Sequence, residues 1–235
     1  MYCRSFGVRD ADKAIRKIVK SKLFNMDKGN SSVVFSAEDV EKVLGKASSE
    51  RGNFPCEIYP GLSKALAVNG DNCGMAFAIE TVLIPDEDGL TITGLPMEST
   101  VGRVKIAKTY IKRNYPRTIK NKGLHIHFGE GAVKKDGPSA GIAVMMSMLS
   151  AALDMPITEN VAYTGEINTN GYVFNIGGAK AKIQVAEQSG CTKVFISYGD
   201  YEELEASDIE IVPEKHVSEV IEAVFCLSEK YKMMT

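Results

Sequence analysis

"DGPSAGIAVMMSMLSAAL", residues 136–153, is the stretch on which the fold turns. A Gly-Pro turn hands over to a long run of small and apolar residues with no polar face, as in a helix buried on all sides. Proline is favoured in a first helical turn because it has no N–H to lose, and Asp136 stands where an N-cap belongs. A buried, rigid helix is therefore expected from Pro138 to about Leu153, with Ser139 in its first turn. Unpaired backbone N–H groups and the positive end of the helix dipole converge there, a ready-made oxyanion site. A serine at a helix start is nonetheless far more often a cap than a nucleophile, and the stretch alone admits both.

Working outward, strands and helices alternate around this helix. Upstream come the strands "SKALAVNG", "GMAFAIETVLIP" and, after a "DEDG" turn, "LTITG", two of them expected to pair as a hairpin, then a helix over 98–113 and the strand "LHIHF". Downstream, "VAYTGEI" and "YVFNI" read as a strand pair, followed by a helix from Gly178, the strand "KVFIS", a short helix near 200–206, "IEIV" and a last helix over 216–227. This is an α+β pattern with mixed sheets and packed helices, free of internal repeats. Ahead of it, Ala14, Ile15, Ile18, Val19, Leu23 and Phe24 recur at helical spacing, and "SAEDVEKVLG" reads as a second helix capped by Ser36 and ended by Gly45. The expected organisation is a small α-helical subdomain over 1–46, a linker over 47–60 whose polar, Gly- and Pro-containing sequence has no period, and the main domain over 61–235.

Composition narrows the function classes. Formal net charge is −2, from 28 basic and 30 acidic residues mixed along 235 positions, so neither a nucleic-acid nor a membrane-surface footprint is visible. Five scattered cysteines, never in a C-x-x-C pair, argue against a disulfide framework or a cysteine zinc site and fit a reducing cytoplasm. No apolar run reaches the length of a membrane span, and the charged N-terminal stretch does not resemble a signal peptide.

A nucleophilic serine needs a base. His125 and His127 lie two apart on a strand, hence on one face, and suggest half a metal site, but no third ligand is evident and no metal is expected. Nothing in the sequence selects among His125, His127 and His216 as a partner of Ser139. "NIGGAKAKIQVAEQSG" offers another base, since burial favours the neutral amine of a lysine. On a helix Lys182 neighbours Gly178, Ala179, Val185 and Ala186, all small or apolar, whereas Lys180 looks toward Gln184 and Glu187. Lys182 is thus the buried lysine by pattern.

"DGPSAGIA", preceded by "HIHFGEG" and followed by "AYTGEINTNGYVFNIGGAKAKIQVA", resembles the proteolytic domain of Lon proteases, in which a serine and a lysine form the catalytic dyad. The resemblance places the serine on Ser139 and the lysine on Lys182. It further implies that Thr164 orients the lysine amine, that Asp136 and Gly137 shape the site, and that Glu80 occupies an acidic position near it, although on a strand edge Glu80 would equally serve as a surface carboxylate. "YCRSFGVRDADKAIRKIVKSKL" is similar to the end of the small helical subdomain of the Lon AAA+ module, with its nucleotide-sensing arginine on Arg9. Two stretches depart from the family pattern: "ALAVNGD" where a "GLAW"-like strand is common, in a chain without tryptophan, and "LPMEST" in place of a Leu-Gly-acidic stretch. Both fall where the family lines its substrate groove.

What the resemblance implies is an ATP-dependent type of serine endopeptidase acting on unfolded or damaged proteins, with no cofactor for cleavage itself. ATP and Mg would serve the full-length enzyme, in a hexameric ring. No G-x-x-x-x-G-K-[ST] loop occurs in the sequence, so the chain is expected to be a fragment or short relative that does not hydrolyse ATP by itself. The same missing Lys-[ST] ending disposes of "GEGAVKKDG" as a phosphate loop. The rival from another class is a non-catalytic Lon-fold domain used for assembly or binding, which would have no need to keep both Ser139 and Lys182.

Overall fold

The structure, a computed structural model, describes residues 8–24, 34–45, 57–68, 74–87, 89–94, 98–129, 138–158, 160–204 and 207–226. These divide into two compact units, one holding the first two helices and the other everything from Glu57 onward.

In the first unit, α1 (Val8–Phe24) and α2 (Ala37–Leu44) form a helical pair. Ser36 caps α2 as its sequence promised: its Oγ accepts the Asp39 amide at 3.2 Å, and the Asp39 carboxylate accepts the Ser36 amide at 3.0 Å, a complete capping box. Lys22 of α1 also donates to Asp39, and this bond with the Ser36 amide holds the Asp39 carboxyl down to about 2. Gly45, at φ 83°, ends α2 in a backbone conformation that a side chain would strain.

The second unit contains β1 (Leu62–Val68), β2 (Gly74–Pro85), β3 (Leu90–Thr93), α3 (Glu98–Asn114), β4 (Lys122–Phe128), a 3₁₀ turn (Pro138–Ala140) and α4 (Gly141–Leu153). After these come β5 (Val161–Tyr163), β6 (Glu166–Ile167), β7 (Val173–Phe174), α5 (Ala179–Gln188), β8 (Lys193–Ser197), α6 (Tyr198–Tyr201), β9 (Glu210–Glu214) and α7 (Val217–Phe225). Seven strands make one mixed sheet in the order β3-β4-β2-β1-β5-β8-β9, and β6 pairs with β7 separately. The α+β expectation is met, with one continuous main sheet joining the N-terminal strands to β5, β8 and β9. β1 and β2 are the antiparallel pair among the early strands, whereas β3 runs parallel to β4, which lies between it and β2.

Alternation along the strands assigns the two faces. Ala65, Phe77, Ile79, Val161, Tyr163 and Phe195 enter the larger core with α3, α4 and α7. Their neighbours Leu66, Ala76, Ala162 and Val194 point the other way, onto Ile183, Val185 and Ala186 of α5. Helix α4 is buried along its length except at Ala151 and Leu153, which explains its lack of a polar face. Its two internal serines are spent on the peptide groups of Gly61: Ser150 Oγ accepts the Gly61 amide at 2.9 Å and Ser147 Oγ donates to the Gly61 carbonyl at 2.6 Å.

Three local expectations are corrected. The segment 138–153 opens with a 3₁₀ turn, and α4 starts only at Gly141 with Ala140 in the N-cap position and no side-chain capping bond there; the expected cap, Asp136, lies outside the described residues. "VAYTGEI" breaks at Thr164 because the Thr164 amide goes to Phe195 and the Gly165 amide to Ser139; only its last two residues pair with β7. The short helix α6 spans Tyr198–Tyr201, earlier than expected, because Ser197 caps it directly at the end of β8 by accepting the Asp200 amide. Among the described residues no helix is long and apolar enough to cross a membrane.

Candidate active site

Ser139 sits in the middle of the 3₁₀ turn and is 7% exposed. A capping serine would hold an amide of α4 with its side chain, and among the described residues α4 has no side-chain cap at its start. Its main chain is what is pinned: the Ser139 carbonyl accepts the Gly165 amide at 2.8 Å, and the Gly165 carbonyl accepts the Ile142 amide at 3.2 Å. Close approach makes Gly141 obligatory here, since a Cβ on it would stand 2.9 Å from the Ile167 nitrogen and 3.0 Å from the Gly165 oxygen. The serine thus stands on a turn whose backbone is held at a helix start.

Thr164, immediately before Gly165, is fully buried, with its amide on the Phe195 carbonyl at 3.0 Å. Its hydroxyl has no hydrogen-bond partner among the described residues. A buried hydroxyl in that condition carries a desolvation cost of about 1–3 kcal/mol, the kind of expense retained where a side chain has work to do.

Lys182 lies in the second turn of α5 and is 1% exposed, while Lys180 two residues earlier is exposed. The small neighbours Ala179, Val185 and Ala186 let the helix lie close on the sheet; at Gly74 of β2 a Cβ would come within 2.1 Å of the Ala181 carbonyl oxygen. Burial pulls the Lys182 amine down to about 8 from 10.5, with the charge of Asp200 acting in the opposite direction. Among the described residues it forms no ion pair, which would hold it protonated. No hydrogen bond joins the Lys182 amine to the Ser139 hydroxyl in this structure.

The three histidines have other employment. Thr93 Oγ1 meets both His125 Nε2, at 3.1 Å, and His127 Nδ1, at 2.8 Å, across neighbouring strands. His216 is the N-cap of α7, with Nδ1 2.7 Å from Ser218 Oγ and Nε2 2.8 Å from the Asn170 carbonyl. No group of three or more metal-ligand side chains occurs among the described residues.

Glu80 is on β2, which lies between β4 and β1, so it is a half-buried residue of an interior strand and not an edge carboxylate. Tyr59 donates to its Oε1 at 2.9 Å, and burial together with this carboxylate pushes the Tyr59 phenol up to about 12. Asp136 and Gly137 lie outside the described residues. Arg9 is exposed on α1. With no phosphate-cradling loop in the sequence and only two helices described in that unit, the residues present do not by themselves fit a nucleotide, and no step involves one. Asp200, a buried carboxylate, was not among the residues expected at the site; an acid in a four-residue helix after a strand carries no recognisable pattern in sequence.

The profile of the Lon protease (S16) C-terminal proteolytic domain matches residues 34–227. The chain belongs to the Lon proteolytic-domain family. It is 32% identical over 212 residues to the Lon protease of Fervidobacterium nodosum, covering 88% of this chain and 25% of that protein. Against the Lon protease of Escherichia coli (strain K12) it is 31% identical over 237 residues, 94% of this chain and 30% of the relative, and against that of Rhizobium meliloti 30% identical over 233 residues, 94% and 29%. The chain thus spans a quarter to three tenths of the length of these Lon proteases.

Proposed function

We propose that this domain is a serine endopeptidase in which Ser139 is the nucleophile and Lys182 the general base. The observation that carries the proposal is a lysine buried to 1% exposure, whose burial draws its amine toward neutrality near physiological pH. Neutral Lys182 takes the Ser139 proton as Oγ bonds to the peptide carbonyl carbon, then gives it to the departing amine nitrogen, leaving an acyl-enzyme. Water deprotonated by the same amine attacks the ester, and the carboxylate product leaves with Ser139 reprotonated. Backbone N–H groups around Ser139 stabilise the oxyanion, each worth about 3 kcal/mol. Thr164 supplies a hydroxyl to orient the amine, and Asp136, Gly137 and Glu80 line the surroundings.

Substrates in this proposal are unfolded protein segments bound in extended form at a sheet edge, β3 being the outermost described strand beside the early strands. In the longer protein such a domain works in the cytoplasm within a homo-oligomeric, hexameric ring driven by ATP and Mg, to which α1 and α2 belong as part of the helical subdomain over 1–46, with Arg9 sensing nucleotide. The linker over 47–60 and the proteolytic domain over 61–235 complete the proposed division.

The test is cleavage of a fluorogenic peptide and of unfolded casein, without ATP, by the wild-type chain and by Ser139→Ala and Lys182→Ala. Loss of at least about a thousandfold in each variant is expected. Cleavage at wild-type rates by either variant would remove that residue from the mechanism.

A further inference from the structure

Resting on the Ser139–Lys182 proposal, one residue outside the family motifs acquires a role. Helix α5 begins weakly: its N-cap is Gly178, at φ 72° and without a side-chain cap, preceded by Gly177. Two consecutive glycines leave the direction of the helix, and therefore of Lys182, to be set from outside. The nearest restraint is Asp200. Its carboxylate, 5% exposed, accepts the amide of Ile176 at 2.8 Å, immediately before the two glycines, and a hydrogen bond from Ser197 Oγ. Ser197 Oγ also lies 3.1 Å from Asn175 Oδ1, and a Cβ on Gly199 would stand 2.4 Å from the Asn175 side chain, so the α6 turn is seated tightly on this loop. From there the ladder reaches the lysine: the Lys182 amide donates to the Gly178 carbonyl at 3.1 Å.

We propose that Asp200 is the positioning residue of the lysine, clamping the loop that starts α5 and supplying the fixed negative charge in whose field Lys182 exchanges its proton. Neither side chain forms an ion pair among the described residues. That separation matters, because direct contact would lock the ammonium in its charged form, whereas a carboxylate held back by an amide and a hydroxyl only moderates the effect of burial. Other titratable groups on the packed elements are engaged elsewhere: Lys64 of β1 with Asn160, Glu214 of β9 with Glu219, and Lys215 over the Tyr198 ring. Of the described charges, Asp200 is the one acting on Lys182.

Asp200→Asn keeps an acceptor oxygen and removes the charge; Asp200→Ala removes both. The full chain carrying each substitution is compared with wild type and Lys182→Met in two measurements. The first is the ¹³Cε lysine NMR titration, in which the Lys182 signal is the one missing from Lys182→Met. The second is the pH profile of kcat and KM on a fluorogenic peptide. In Asp200→Asn the NMR midpoint and the acid limb of kcat are expected to move down by about half a pH unit or more, with the plateau kcat kept within about threefold. In Asp200→Ala the plateau falls by about tenfold or more while KM changes by less than about twofold, the mark of misplaced machinery rather than lost binding. If both variants only lower the melting temperature, with midpoint and acid limb where wild type has them, Asp200 is merely structural and the proposal fails. Full activity in Lys182→Met would overturn the lysine's role and this one with it. Inactivity in Lys182→Met with an unmoved midpoint in Asp200→Asn sinks the Asp200 role alone.

Discussion

Ser139 and Gly165 are joined through their backbones, the Gly165 amide donating to the Ser139 carbonyl at 2.8 Å. The bond ties the turn carrying the serine to the end of β5, so the position of the hydroxyl is decided by the sheet and not by α4 alone. Gly141 is the residue that permits the approach. Gly141→Ala is expected to destabilise the domain by about 1–3 kcal/mol, because the crowding atoms are backbone and cannot step aside. Peptide cleavage should fall by about tenfold or more as the turn lifts away. Urea unfolding and kcat measured together check this; unchanged values of both would show that the turn tolerates the methyl group.

Burial of Lys182 makes stability depend on pH in a defined window. From about 8 to 10.5 the unfolded chain holds a proton on this lysine that the folded chain has released, so stability rises with pH across that interval. Below it both states are protonated and the folded state bears the whole cost of the buried charge, on the order of 3 kcal/mol. Lys182→Met should therefore be more stable than wild type at pH 7, by about 1–3 kcal/mol, and lose the rise between 8 and 10.5. Denaturant titrations at several pH values supply the comparison, and a less stable Lys182→Met would contradict the burial cost.

Glu214 acts with the opposite sign. It is 5% exposed, and burial together with its bond to Glu219 pushes its carboxyl up to about 8, while Glu219, bonded to Glu214 and to the Lys215 and His216 amides, is lowered. Since the folded chain keeps the Glu214 proton after the unfolded chain has lost its own, stability falls as pH rises from 4.5 to about 8. Glu214→Gln should flatten that fall and gain about 1–2 kcal/mol at pH 8, discounted for the solvent around Glu219. A melting-temperature series from pH 5 to 9 decides the matter, and a variant retaining the wild-type slope assigns the effect to another group.

Ser147 bonds both the Gly61 carbonyl and, at 2.7 Å, Thr81 Oγ1 in the core. Ser147→Ala leaves those two groups short of a partner and is expected to cost about 1–3 kcal/mol, read from urea midpoints, whereas Ser147→Thr, if accommodated, restores the bonds. An alanine variant as stable as wild type would mean that the two groups find other partners.

Much of this was written in local sequence. Ser36 with Asp39 announces the start of α2, Gly45 its end, and the spacing of Ala179, Val185 and Ala186 around Lys182 singles out the buried lysine. Alternation in β1 and β2 likewise anticipates strands with two covered faces. Less legible was anything that depends on a distant partner: the break in "VAYTGEI" follows from amides at Thr164 and Gly165 turning to Phe195 and Ser139, and the interior place of Glu80 from β4 pairing beside β2. Asp200 could not be found at all, because its importance comes from an Ile176 amide 24 positions away.

By itself, then, the sequence determined most of the elements and marked Lys182 as the buried lysine, since periodicity, caps and side-chain type act over a few residues, whereas Ser139 was set apart from a helix cap only by resemblance. Tertiary structure decided strand order, the 3₁₀ entry to α4, the burial of the Thr164 hydroxyl without a partner among the described residues and the field of Asp200 on the lysine. The physical reason is range: hydrogen bonds and charges that shape a reactive site join groups far apart in the chain, and only the folded packing brings them within reach.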